Sequence, residues 1–175
     1  MRKLKFSDFA RLRVLVVDDN PQFHRVFNAI LRGVGIDDIR VALSAEAAVR
    51  EICDVRPDIV FLDWCMEPLN GIDLVRLIRN ADEGADPLIP IVMITGHAEA
   101  HRVKAARDAG VTEFLVKPVS MQSVAARIDE ILYRPRAFIR APTFVGPDRR
   151  RRICDHAGVE RRGAKELHPE PCTDG

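Results

Sequence analysis

At 175 residues, 47% of them hydrophobic, the chain is long enough to bury a core, and one domain accounts for most of its length. No apolar stretch reaches the roughly 18 residues of a membrane-spanning helix, and Met1 to Phe6 leads into no signal-peptide core, so a cytoplasmic protein is expected. The net charge of +1 hides an uneven distribution, and the four cysteines, Cys53, Cys65, Cys154 and Cys172, form no tight framework and are expected to stay reduced.

Strand and helix patterns alternate from Arg13 to Tyr133, which predicts a parallel sheet covered on both faces by five helices. The first strand is Val14 to Val17. A helix then starts near Pro21, since proline fits the first turn; it is expected to bury Phe23, Val26, Phe27 and Ile30 and to end at Gly33 or Gly35. Ile39 to Leu43 reads as the second strand. Ser44 caps the next helix, with Glu46 and Glu51 outside and Ala47, Ala48 and Ile52 inside, and Pro57 stops it before the third strand, Ile59 to Leu62. Ile72, Val75, Leu77 and Ile78 give a third helix after Gly71, ended by Gly84-Ala85-Asp86-Pro87. Ile91 to Ile94 is the fourth strand, and the helix after it carries Ala98, Val103, Ala105 and Ala106 and closes at Gly110. Phe114 to Val116 is the fifth strand, and Ser120 caps a last helix that buries Val124, Ile128, Ile131 and Leu132.

The residues that end these strands carry the chemistry. Asp18-Asp19, Asp63, Thr95 and Lys117-Pro118 each follow an apolar run, and in open α/β sheets ligands bind at the carboxyl ends of the strands. An aspartate can accept a phosphoryl group covalently, but its charge repels the donor unless a divalent cation lies between them. Mg²⁺ is held by one or two carboxylates plus waters and phosphate oxygens, so Asp18 or Asp19 with Asp63 would suffice. Lys117 supplies a fixed positive charge for the phosphoryl oxygens, and the Thr95 hydroxyl can hydrogen-bond one of them.

Residues 11 to 133 resemble the receiver domain of a two-component response regulator. The resemblance rests on Val16-Val17-Asp18-Asp19-Asn20, Asp63-Trp64-Cys65-Met66 followed by Asn70-Gly71, Thr95-Gly96, and Phe114 three residues before Lys117-Pro118, all in the family's order. It implies a flavodoxin-like, doubly wound (βα)5 sheet. It also implies that Asp63 is the phosphoacceptor, that Asp18, Asp19, Asp63 and the Cys65 carbonyl bind Mg²⁺, and that Thr95 and Phe114 form a switch pair. Phe114 otherwise reads as a core residue of an edge strand. Cys65 and His97 stand where receiver residues flank the phosphoryl group and affect its hydrolysis; the alternative is an inert loop thiol and an exposed helix-start histidine. Glu67-Pro68 replaces an earlier proline common in the family, so the loop after Asp63 is expected to differ in shape, and Trp64 reads as a partly exposed loop aromatic.

Charge divides the chain further. Residues 1 to 13 carry +4, residues 14 to 133 carry −7, residues 134 to 152 carry +6 and residues 153 to 175 carry −2. The expected organisation is a basic segment at 1–10, the receiver at 11–133, and a basic proline- and arginine-rich arm at 134–175. Pro135, Pro142 and Pro147 interrupt any helix in the arm, and its low apolar content predicts a largely disordered, extended tail. Gly146-Pro147-Asp148-Arg149-Arg150 recurs twelve residues later as Gly158-Val159-Glu160-Arg161-Arg162, and such arginine pairs suit phosphate or carboxylate. Cys154, His156, His168 and Cys172 are of metal-ligand type but irregularly spaced.

Together these readings predict a stand-alone response regulator, not an enzyme beyond slow autodephosphorylation. It would be phosphorylated on Asp63 by a histidine kinase or phosphotransfer protein. Its output would be binding of a downstream protein, through the face of the fourth helix, fifth strand and fifth helix or through the arm, or homodimerisation on phosphorylation. Two alternatives remain: an arm that binds nucleic acid or a phosphate-rich nucleotide through Arg149, Arg150, Arg161 and Arg162, and an aspartyl-phosphate hydrolase, against which the lack of an Asp-x-Asp pair after the first strand counts.

Overall fold

Unbroken apolar runs demand cover on both faces, and the strands of this chain find it. A computed structural model describes residues 9–80, 85–96, 100–141, 144–148 and 165–167. Five strands, β1 (Arg13–Val17), β2 (Asp38–Ala42), β3 (Ile59–Asp63), β4 (Ile91–Thr95) and β5 (Glu113–Val116), pair in parallel in the order β2-β1-β3-β4-β5. The helices between them are α1 (Pro21–Val34), α2 (Ala45–Val55), α3 (Gly71–Asn80) and α4 (Ala100–Ala109), with α5 (Met121–Tyr133) after β5. This is the doubly wound, flavodoxin-like order.

Strand alternation sorts the core into two layers. Leu15, Val17, Val60, Leu62, Ile91 and Met93 face α2, α3 and α4, where Ile52, Leu74, Val75 and Ile78 meet them. Val14, Val16, Ile59, Phe61, Val92 and Ile94 face α1 and α5, against Phe27, Leu31, Val124 and Ile128. Phe61 is fully buried with its ring centroid 5.1 Å from that of Phe27, so Phe61→Ala would cost about 3–5 kcal/mol.

Local signals fix the helix ends. Asn20 accepts a hydrogen bond from the Gln22 amide ahead of Pro21, and Gly35 closes α1 with φ of 99°. Ser44 caps α2, and Ser120 with Ser123 forms a capping box on α5. Some expectations need correction. Val26 is 59% exposed, and His24 takes the buried place, because His24, Phe27, Leu31 and Val34 keep helical spacing on one face. Ala105 is exposed and the inward positions of α4 are Ala106 and Ala109; Ala98 lies outside the described residues. Leu43 lies beyond β2 and is exposed. The core also reaches back to Phe9, only 1% exposed, so the expected 1–10 segment contributes to the domain.

Among the described residues of the arm, 138–141, 144–147 and 165–167 depart from expectation. In place of an extended tail, β6 (Phe138–Ala141) and β7 (Phe144–Pro147) form an antiparallel pair, with β8 (Lys165–Leu167) on the other edge of β6. The pair packs against α3 and α4, at the end of the sheet away from the strand tips. Two glycines allow it: a β-carbon at Gly146 would lie 2.7 Å from the Gly110 α-carbon, and one at Gly110 would lie 2.6 Å from the Val145 carbonyl oxygen. Phe138 is buried, its ring 5.3 Å from the Arg79 guanidinium carbon. Arg149, Arg150, Arg161 and Arg162, with the cysteines and histidines of the arm, lie outside the described residues.

Candidate functional site: a carboxylate cluster at the strand tips

Parallel pairing brings the strand-end residues together. Asp18 follows β1, Asp63 ends β3, Thr95 ends β4 and Lys117 follows β5, with the Lys117 amide donating to the Thr95 carbonyl at 2.8 Å. Asp18, Asp63 and Thr95 are 2, 5 and 3% exposed, so two carboxylates and a hydroxyl are withdrawn from solvent at the strand tips. The Lys117 ammonium bridges the acids, with Nζ 2.7 Å from Asp63 Oδ1 and 3.5 Å from Asp18 Oδ2. The Phe23 ring lies 4.3 Å from the same nitrogen. The Lys117–Pro118 peptide is cis.

The backbone completes the frame. Asp18 Oδ1 accepts from the Asn20 amide at 2.8 Å and Asp63 Oδ2 from the Cys65 amide at 2.9 Å. Gly71, the first residue of α3, must be glycine, because any β-carbon there would collide with the Asp63 carbonyl oxygen. Trp64 is half-buried, near Arg102, and Cys65 is an exposed free thiol.

Electrostatics match this packing. Burial pushes the Asp18 carboxyl above the ordinary aspartate value, and the nearby Asp63 charge adds to it against the Asn20 hydrogen bond, Lys117 and His24. Burial alone would lower Lys117, but its hydrogen bond and charge contact with Asp63, together with Asp18, hold the ammonium above the ordinary lysine value. Asp18 Oδ2 is buried with no hydrogen bond, only the ion pair to Lys117. Among the described residues no three His, Cys, Asp or Glu side chains form a ready metal cage. Mg²⁺ needs none, since one or two carboxylates and waters serve it, and an under-coordinated buried oxygen beside a second carboxylate fits that requirement. Asp19 is exposed, next to Asp18, and Phe114 is half-buried against the core. His97 lies outside the described residues.

Sequence reasoning missed His24, whose Nε2 donates to the Asp18 carbonyl at 2.6 Å and supports the turn that presents the acid. Its helical spacing with Phe27 and Leu31 was the available signal.

The family model for the response regulator receiver domain matches residues 14–129. The chain belongs to this family. The receiver is 36% identical over 129 residues to the DNA-binding response regulator MtrA of Mycolicibacterium smegmatis, covering 73% of this chain and 53% of that protein. It is 32% identical over 123 residues to the chemotaxis protein CheY of Pseudomonas aeruginosa, covering 70% of this chain and 98% of that one. The chain thus spans about half the length of the MtrA relatives it matches, and the alignment lies in the receiver. Among solved structures, a two-component response regulator from Clostridium difficile superposes with a TM-score of 0.63 at 26% identity, over 71% of this chain and 98% of that one. The receiver domain of a sensor histidine kinase from Pseudomonas aeruginosa, described with a magnesium ion coordinated in its active site cleft, gives 0.60 at 26%, over 68% and 95%. Receiver domains are phosphoryl acceptors rather than classical enzymes; they bind Mg²⁺, are phosphorylated by histidine kinases and bind downstream targets. Among the described residues, no helix of this receiver is long and apolar enough to cross a membrane.

Proposed function

We propose that this receiver accepts a phosphoryl group on Asp63 from a histidine kinase or phosphotransfer protein in the cytoplasm, and signals by phosphorylation-dependent protein binding. The observation that carries this is the Lys117 bridge between Asp63 and Asp18, two buried acids held at the tips of neighbouring parallel strands. In the reaction an Asp63 carboxylate oxygen bonds to phosphorus while the phosphorus–nitrogen bond of the donor phosphohistidine breaks, and the leaving imidazole takes a proton. Mg²⁺ held by Asp18, Asp19, Asp63 and the Cys65 carbonyl would neutralise charge between carboxylate and phosphoryl oxygens. Lys117 leaves its contact with Asp63 Oδ1 to pair with the new phosphoryl oxygens, and the Thr95 hydroxyl donates to another. Phe114, on the strand that leads into Lys117, then turns inward and alters the face of α4, β5 and α5, where the partner binds.

Incubation with acetyl phosphate and Mg²⁺ tests the assignment. Wild type gains one phosphoryl group by intact mass, Asp63→Asn gains none, and chelation abolishes the gain. Labelling of Asp63→Asn to the wild-type extent would overturn it.

A further inference from the structure

β5 is four residues long, and both of its ends are occupied by charge. Beyond its last residue stands Lys117, at the carboxylates; at its first stands Glu113, a buried acid that neither the strand ladder nor the carboxylate site requires. Two arginines hold Glu113. Arg136, in the segment that leads from α5 into β6, donates from Nη2 to Oε1 at 2.6 Å, and Arg127 of α5 places Nη1 3.7 Å from Oε2. Arg127 also donates from Nε to the Phe114 carbonyl at 2.8 Å. Glu113, Phe114, Arg127 and Arg136 therefore form one charged knot between the strand of the proposed switch residue and the root of the hairpin. Beside it lies a cavity of about 420 Å³, lined among others by Thr112, Glu113, Ile131, Arg136 and Phe138, which leaves room for the root to shift.

We propose that the Glu113–Arg136 ion pair is a latch that couples the β6–β7 hairpin to the phosphorylation state of Asp63. The structure holds the latch closed while Lys117 is paired with Asp63, the arrangement that a phosphoryl group must disrupt. Movement of Lys117 and Phe114 draws on a strand of only four residues, so it disturbs the Arg127 contact to the Phe114 carbonyl and the carboxylate that Arg136 needs. The phosphorylated state docks the hairpin less tightly. Linkage makes the effect reciprocal: opening the latch by mutation must favour the phosphorylated state by the same factor. This inference rests on Asp63 being the acceptor proposed above.

Hydrogen exchange of the full chain, read on peptides spanning 138–147, tests it with and without beryllofluoride and Mg²⁺, while ¹⁹F resonances of the bound fluorides report occupancy of Asp63 separately. Beryllofluoride should speed exchange in the hairpin at least about fivefold, the lower bound of ordinary coupling. Arg136→Gln, at a partly exposed side chain, should speed it similarly without the mimic and lower the beryllofluoride midpoint by a like factor. Glu113→Gln should match it, and the double variant should add little. Unchanged hairpin exchange in Arg136→Gln, or slower or equal exchange when bound fluoride is visible, overturns the latch and leaves the acceptor reading intact. Failure of wild type to show bound fluoride while Asp63→Asn behaves identically overturns the acceptor reading, and the latch falls with it.

Discussion

Lys117 Nζ lies 2.7 Å from Asp63 Oδ1, so the carboxylate proposed as nucleophile is engaged by a cation before any phosphoryl group arrives. The lysine thereby holds two like charges in one cleft. Lys117→Met should lower stability by about 1 kcal/mol without Mg²⁺, the modest end of charge-assisted bonds because a third of the side chain faces water. Added Mg²⁺ should recover it, and phosphorylation by acetyl phosphate should slow at least about tenfold. Thermal melts with and without metal, beside intact-mass time courses, check both. The folded-state pKa of Lys117 is raised, so its contribution is present below the unfolded lysine value and is lost as pH climbs through the folded one.

Asp18 has the opposite sign. Its carboxyl is pushed up by burial, so the folded state binds the proton more readily and the charged acid costs stability once pH exceeds its folded pKa. The cost is relieved as pH falls through that value toward the unfolded one. Asp18→Asn should therefore melt a few degrees higher than wild type at pH 7 in chelator and lose the stabilisation that Mg²⁺ gives wild type. A melt of the variant that is lower in chelator and still rises with Mg²⁺ would remove Asp18 from the metal site.

Arg79 tests the opposite end of the sheet. Its guanidinium is buried and donates to the carbonyls of Gly110, Pro87 and Ile89 at 3.0, 2.7 and 2.8 Å. Burial lowers its pKa to about 9, against the pull of Asp86, so it stays cationic at neutral pH. Arg79→Met leaves those acceptors without their donor and should cost on the order of 3 kcal/mol in urea denaturation.

Gly146→Ala should push the hairpin off α4 without unfolding the receiver, since its β-carbon would meet the Gly110 α-carbon at 2.7 Å. Exchange should rise in 138–147 and stay at the wild-type rate in β1 and β3. Wild-type protection throughout would mean that the hairpin tolerates the clash by a shift of backbone.

The sheet was legible because its information is local. A wholly apolar run such as Ile59 to Leu62 declares a strand covered on both sides, and the acid, hydroxyl or lysine after each run declares its tip. The strand-tip positions of Asp18, Asp63, Thr95 and Lys117 were legible in this way, and Ser44 and Ser120 were legible as caps. What escaped depends on distant partners. Arg79 lies near the end of a helix, where arginine ordinarily meets water, and carbonyls outside that helix, from Pro87 and Ile89 to Gly110, 31 residues on, make it internal. Glu113 carried no signal in the sequence, since the Arg136 that pairs with it lies 23 residues on. Gly146 belonged to a repeat of arginine pairs, and nothing nearby announced that Gly110 would receive it. Prolines and arginines spoke for an extended arm because the residue that covers the Phe138 ring, Arg79, lies in another part of the chain.

The three carbonyls bound by Arg79 belong to the loops that feed β4 and β5, so one side chain clamps the starts of both strands to the end of α3. Their far ends, Thr95 and Val116, pair with each other, and there the Lys117 amide donates to the Thr95 carbonyl beside the acids. The two strands are thus tied at one end through a side chain and along their length through backbone. One guanidinium therefore fixes where β4 and β5 begin, and because their pairing fixes the register, it also sets how far Thr95 and Lys117 reach toward the acids at the other end.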